Sequence, residues 1–253
     1  MDRDHRMKLL QRVPIAIFGF LFSIAGIMGC APPIPHESTP RPVEAYPLAA
    51  LAPCPPAYCW RGTALTDLDF ETVAGLVKDV KGYQDVEFSN ERNEGGYGWY
   101  RWDIPGDPRY EPRSIDYVAK AGEFQALTEA FPSVSIGDVI AQFGEPSHVL
   151  VHPVSGPSSG DVGFTLFYED KGLVFYSDRV RDLTPGSAFA VPPSATIYGY
   201  TVTTPTRLSE LAYVTLLATS VPLSELSDST ESWLRSIQAW HGYTTYEVQP
   251  WNG

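Results

Sequence analysis

The chain has 253 residues, with 30 acidic against 18 basic side chains and a formal net charge of −12. That balance argues against nucleic acid as a partner, and against attachment to anionic lipid through charge, since both need clustered Lys and Arg. The length suffices for one large domain or two small ones with real cores.

The chain opens with Arg3, Arg6, Lys8 and Arg12 against Asp2 and Asp4, followed by an apolar run from Val13 to Met28. A basic start and an apolar run are the pattern of a secretory signal. The run falls short of the ~20 residues that a helix needs to span a bilayer. It ends in Ile27-Met28-Gly29-Cys30, which resembles the lipobox of bacterial lipoproteins. The match lies in an apolar residue three before the cysteine and a small residue directly before it; Met28 departs, standing where a small residue is usual. The resemblance implies that residues 1–29 are a signal peptide, that the Cys30 thiol is lipidated, and that the protein is anchored to a membrane outside the cytoplasm. A plain signal peptide with a chance cysteine, and an uncleaved anchor helix, are the alternatives. Met7-Lys8-Leu9 also reads as a signal start, so translation from Met1 and from Met7 both stay open. Without residues 1–29 the balance becomes 14 basic against 28 acidic, a net charge near −14.

Residues 30–58 are dense in proline: Pro32, Pro33, Pro35, Pro40, Pro42, Pro47, Pro53, Pro55 and Pro56. Such density fixes φ and removes donors, so the stretch reads as a semi-rigid tether. Cys54 and Cys59 remain once Cys30 is assigned to lipid. Outside the cytoplasm, a pair five apart is expected to form a disulfide. It would pin the end of the tether to the start of the domain.

Two segments then read alike. Asp69–Val77 and Ser135–Phe143 each open on a residue that caps helices. Each places apolar groups at i, i+3, i+4 and i+7: Phe70, Val73, Ala74 and Val77 in one, Ile136, Val139, Ile140 and Phe143 in the other. That spacing is one buried helix face. Ser135 with Asp138 resembles a capping box, and Gly144 with Pro146 ends the second helix. Strands are expected over 83–89 and 96–104 after the first helix, and over 147–154, 163–169 and 173–177 after the second. The last two form a hairpin at Asp170-Lys171-Gly172. An offset of 66 aligns the helices, Gly106 with Gly172, and Tyr110 with Tyr176, while Pro105 and Pro108 weaken the first copy's last strand.

The run Val134–Pro146 (VSIGDVIAQFGEP) with the hairpin Phe167–Leu173 resembles BamE-like (SmpA/OmlA) lipoproteins and β-lactamase-inhibitor-protein-like domains. A looser copy runs from Cys59-Trp60-Arg61-Gly62 without the Gly-x-Pro ending, and the resemblance covers about residues 59–178. It implies an α+β fold: tandem helix-plus-antiparallel-meander repeats forming an extended sheet, with helices packed on one face. The repeats are expected at 59–112 and 113–183. It also implies a protein-binding role and not an enzymatic one. Residues 184–253 follow as a strand (Ala195–Thr203), a helix opening at Thr204-Pro205, and a helix over Ser227–Trp240.

Gly156-Pro157-Ser158-Ser159-Gly160 matches the G-x-S-x-G nucleophile elbow, but the elbow needs a helix directly after it and a strand follows here. His148 and His152 share one strand face, and Asp161 could join them. Zinc needs three or four converging ligands, so no metal site is expected. No catalytic or cofactor motif is expected either. Tyr97, Trp99 and Arg101 alternate with Tyr100 and Trp102. One set faces the core, and the other is exposed unless helices or the C-terminal segment cover it. Trp, Tyr and Arg are enriched at binding hot spots, so Tyr97, Trp99 and Arg101 are the candidate binding surface. The expected function is a lipid-anchored, non-enzymatic protein-binding or scaffold role at the cell envelope. A solute- or glycan-binding lipoprotein is the alternative, and a hydrolase built from scattered carboxylates comes last.

Overall fold

A computed structural model describes residues 47–55, 57–79, 87–104, 113–153, 161–177, 180, 188–219 and 221–248. All of them belong to one compact unit, Pro42–Gly253. The signal segment, Cys30, the tether before Pro47, the start of the strand expected over 83–89, Gly106, Tyr110 and the Gly156–Gly160 loop lie outside the described residues. Among those described, no helix is long and apolar enough to cross a membrane.

A single turn of 3-10 helix, Pro47–Ala50, leads into the hairpin of β1 (Leu51–Cys54) and β2 (Ala57–Trp60), followed by the short β3 (Thr63–Ala64). Leu51 pairs with Trp60 and Cys54 with Ala57. The Cys54 and Cys59 sulfurs stand 2.07 Å apart, a bonded pair across the hairpin. The last part of the expected tether is therefore folded. Leu48 and Leu51, the apolar residues between its prolines, are buried in the main core. Pro55 falls in the turn, where a missing amide removes no ladder bond.

The helices α1 (Phe70–Val77) and α2 (Ile136–Phe143) stand where their spacing places them. The Asp69 carboxylate accepts from the Thr72 amide at 2.8 Å. Ser135 Oγ accepts from the Asp138 amide at 3.1 Å, the N-cap bond expected of the sequence, and donates to Asp138 Oδ2 at 2.6 Å. Gly144, at φ 77°, ends α2.

The strands β4 (Glu87–Glu94), β5 (Tyr97–Ile104), β6 (Arg113–Lys120) and β7 (Glu123–Ser135) lie between the two helices. After α2 come β8 (His148–Pro153), β9 (Val162–Tyr168), β10 (Leu173–Ser177), β11 (Ala188–Ala190) and β12 (Thr196–Val202). The helices α3 (Leu208–Ala218) and α4 (Leu223–Ser236) follow, then β13 (Gln238–Ala239) and β14 (Thr245–Glu247). Among the described residues, nine strands form one antiparallel sheet in the order β13-β8-β9-β10-β12-β7-β6-β5-β4, and β11 pairs with β14 apart from it. The sheet crosses both expected boundaries: β5 pairs with β6 across 112–113, and β10 with β12 across 183–184. The fold is thus mixed α and β with antiparallel sheets.

Helices cover both faces of the sheet, where the sequence placed them on one. The N-terminal hairpin, α1, α2 and the β11–β14 pair close the first face over Ile115, Tyr117, Leu127, Phe175 and Tyr200. On the second face Leu216, Leu217 and Leu226 of α3 and α4 cover Tyr97, Trp99, Val118 and Ala126. Leu211 and Trp233 cover Leu150, Phe167 and Val174. The first turn of α3 starts at Leu208, later than Thr204-Pro205, because the Glu169 carboxylate reaches across to accept the Leu208 amide at 3.1 Å. The helix expected to run to Trp240 stops at Ser236. Gln238 and Ala239 instead pair with Val149 and His148 of β8, whose edge offers them backbone partners.

One polar cluster joins the layers. Glu129 of β7 is buried in the core. Its carboxylate accepts from Trp60 Nε1 at 3.0 Å, Arg61 Nη2 at 2.8 Å and the Tyr200 hydroxyl at 2.7 Å. A buried carboxylate holds its place only when its acceptor sites are filled. Glu129→Ala strands three donors in or near the core, so it should cost about 3 kcal/mol; Glu129→Gln should cost less. Urea unfolding followed by far-UV circular dichroism measures both, and equal midpoints for wild type and Glu129→Ala would contradict the structural role.

Burial also raises the phenol pKa values of Tyr117 (to about 12), Tyr168, Tyr176 and Tyr200. An unfolded phenol titrates near ~10. The folded state therefore holds these protons more tightly, and its stability is complete below pH ~10 and is lost as pH rises through Tyr117's folded value. The urea midpoint should hold steady up to pH ~9 and fall sharply by pH ~11.5, with phenolate absorbance appearing together with loss of the far-UV signal.

Candidate functional site

The strand β5 reads Tyr-Gly-Trp-Tyr-Arg-Trp-Asp-Ile, and its two parities go to different layers. Tyr97 and Trp99 face α3 and α4, whereas Tyr100 and Trp102 face α1. On the α1 side, beyond the end of the helix layer, a cleft of about 320 Å³ opens between two hairpin tips. Its walls are Phe70 of α1 and Tyr100 of β5, its floor is Gly98 and Ala119, and the fully buried Tyr117 of β6 lies behind them.

Local sequence explains the shape. Both tips are two-residue turns, Gly95-Gly96 and Ala121-Gly122, with all four residues at positive φ. That is the conformation of the tight turn that suits strand twist. The tips are linked by the Ala121 amide donating to the Gly96 carbonyl at 2.8 Å. They carry no bulky side chain, so they bound the cleft without filling it. Gly98 lets the Tyr100 ring fold down onto its own strand: a Cβ at this position would stand 2.8 Å from the Tyr100 hydroxyl oxygen and 2.9 Å from a ring carbon.

The aromatic walls belong to a continuous strip. Phe70 lies 4.7 Å from Tyr100 and 5.8 Å from Trp102 between ring centroids, Tyr100 lies 6.0 Å from Tyr117, and Tyr117 lies 6.1 Å from Phe124. These separations are in the range of favourable aromatic pairing. Phe88 extends the strip beside Phe70 and Trp102, and it is 51% exposed. The Tyr117 hydroxyl donates to the Leu68 carbonyl at 3.2 Å. Desolvation first, then Asp69 and Tyr100, raise its pKa to about 12, so it stays a neutral donor at physiological pH.

Sequence reasoning selected the other parity. Trp99 is 3% exposed, and its indole donates to the Leu217 carbonyl at 2.8 Å, satisfying an end group of α3. Tyr97 is 8% exposed beneath the same helices, though it also borders the cleft at the hairpin tip. These two aromatics are thus covered by helices, the alternative that the alternation had left open. Arg101 is half-exposed. It donates to Asp103 Oδ1 at 2.8 Å and lies 3.6 Å from Asp116 Oδ1 on the neighbouring strand. The three do not form a common exposed surface.

His148 and His152 share β8 as expected. His152 Nδ1 is 3.3 Å from the Pro153 carbonyl, and burial lowers its pKa. Among the described residues, no group of three or more His, Cys, Asp or Glu is placed to hold a metal ion. Two features of the cleft escaped the sequence reading. Tyr117 and Ala119 lie on β6, whose alternation Ile115, Tyr117, Ala119 before an Ala-Gly turn is a strand signal. Gly98 between aromatics marks a close approach.

Comparison with protein-family models, with curated proteins and with solved structures gives no match for this chain.

Gly98→Ala should keep the far-UV spectrum and displace the Tyr100 ring, changing the near-UV aromatic spectrum. Tyr100→Phe should leave both spectra close to wild type. An unchanged near-UV spectrum in Gly98→Ala would remove the glycine from the account of the cleft.

Proposed function

We propose that the chain is a cell-envelope lipoprotein, anchored at Cys30, whose folded body is a non-enzymatic binding module. Its aromatic cleft holds a small solute. The observation that carries this reading is the cleft itself, with the rings of Phe70 and Tyr100 as walls, a small-residue floor and an opening between two hairpin tips. Its volume of about 320 Å³ sits at the small end of ligand pockets. The hairpin cysteine pair suits an oxidising compartment. An acidic body directs the module away from nucleic acid and from anionic headgroups.

The BamE-like kinship belongs to the same proposal. In its favour, α1 and α2 are each eight residues long, begin 66 residues apart and are each followed by strands of one antiparallel sheet. A second reading, a protein partner at the envelope, is favoured by the exposed Phe88 ring at the outer strand beside the cleft.

Two measurements test the proposal. Cys30→Ser should release the protein from the membrane fraction, and globomycin should accumulate an uncleaved form; unchanged membrane association in Cys30→Ser would exclude the lipid anchor. A thermal-shift screen of small solutes should give hits on wild type that Tyr100→Ala loses. Hits that persist equally in Tyr100→Ala would place binding elsewhere.

A further inference from the structure

Setting β13 aside, the sheet reads alike from its two ends. After α2, β8, β9, β10 and β12 run inward from one end; after α1, β4, β5, β6 and β7 run inward from the other; β12 and β7 pair where they meet. Tyr200 stands opposite Glu129 at that junction. Outward through the paired residues, Glu129 leads to Ile115 and Trp102, and Tyr200 leads to Phe175 and Leu166. Trp102 thus corresponds to Leu166. Along the same strands Tyr100 corresponds to Phe164, and Gly98 to Val162. The cleft floor pairs Gly98 with Ala119; at the corresponding place Val162 bridges to Val180.

The second half closes the place that the first leaves open. Its connection from β10 to β12 carries β11, whereas the first half turns from β6 to β7 in the two residues Ala121-Gly122. Phe189 of β11 stands 6.3 Å from Phe164 between ring centroids, and it is 3% exposed. A phenyl ring of the chain itself therefore packs on the counterpart of Tyr100, where two valines stand in place of the glycine and alanine of the floor. In the first half, Phe70 holds one side of Tyr100, and the side toward the tips is the cleft.

The lining selects the ligand. Among the described residues no Lys or Arg lines the cleft; Glu94 on its rim is already partnered, and Lys120 stands 4.9 Å over the Tyr97 ring. A charged solute therefore meets no free counter-charge, and it loses hydration that rings cannot replace. A sugar needs several convergent polar groups, and the walls and floor are rings and small residues. An uncharged aromatic ring needs neither, and it gains ring pairing on top of buried area. An apolar cavity of ~150 Å³ already holds benzene, so a cleft of about 320 Å³ admits a ring with a small substituent.

We propose that the solute held by this cleft carries one uncharged phenyl or phenol ring, seated against Phe70 and Tyr100 over Gly98 and Ala119, as Phe189 is seated against Phe164. This rests on the cleft being the binding site of the module. The tight turn Ala121-Gly122 stands where the other half has β11, and it keeps the site open to a ring from outside the chain.

The test is titration of the full chain carrying Cys30→Ser, at neutral pH and followed by amide chemical shifts, with p-cresol and with 4-methylcyclohexanol, its saturated counterpart. The phenol should shift Gly96, Gly98 and Gly122 saturably. It should bind about fivefold more tightly than the saturated ring, the order that ring pairing adds to area burial. Ala119→Val, which puts on the floor the residue that Val180 supplies in the other half, should weaken p-cresol several-fold. Tyr100→Leu should do the same while Tyr100→Phe retains binding, and the far-UV spectrum of each variant reports whether it folds. Equal affinity for the two alcohols would overturn the aromatic assignment while leaving the cleft a binding site. Binding of 4-methylbenzoate or 4-methylbenzylammonium as tight as that of p-cresol would overturn the uncharged assignment. No response to p-cresol would overturn the proposal outright, and the solute screen then decides separately whether the module binds at all. The acetylated tripeptide amide Ala-Phe-Ala, the sequence of β11, separates the sources. Its binding without a response to p-cresol would overturn the solute reading in favour of a peptide side chain.

Discussion

The carboxylate of Glu129 is the constraint around which the layers assemble. It sits in the middle of the longest strand, on the face that becomes the main core, and it accepts from β2, from the turn after it and from β12. Without those donors the charge would carry a desolvation cost of several kcal/mol, so the N-terminal hairpin must dock. The hairpin brings Trp60 into the core, and Arg61 turns at positive φ to reach the same carboxylate. The cysteine pair then ties the two hairpin strands together just before the contact. The hairpin is thereby fixed to β7, an interior strand of the sheet.

Among the described residues, the hairpin and α2 pack on β7, and α1, eight residues long, packs on β6 beside Tyr100 of β5. Beyond it the sheet continues as Gly98, Ala119 and the two tight turns. A cleft therefore arises where the helix layer is shorter than the strands beneath it. The second face shows the opposite case, with α3 and α4 closing over Tyr97 and Trp99. The same strand supplies a covered aromatic face and an open one.

Much of this was legible in the chain. The capping residues Asp69 and Ser135, the periodic apolar positions of α1 and α2, Gly144, and the hairpin at Asp170–Gly172 act through neighbours a few residues away. Their physics is local, and the elements stand where that physics puts them. The interior strands β6 and β7 were passed over. Their alternation is blurred by Glu129 on the buried face and by a register shift between Val118 and Ala119. The end of α4 was overrun because the periodicity of Trp233, Ile237 and Trp240 is helical, while the β8 edge draws the backbone into a strand.

By itself, the sequence determined the paired cysteines, the caps and the helix faces, since each depends on contacts close along the chain. Tertiary structure alone decided which parity of β5 is covered. Alternation with period two defines two faces but not what lies on either. It also decided the partners of Glu129, which come from 68 to 71 residues away. The cleft belongs to the same class: its ring walls come from α1 and β5 and its floor from β5 and β6, which only the tertiary structure brings together.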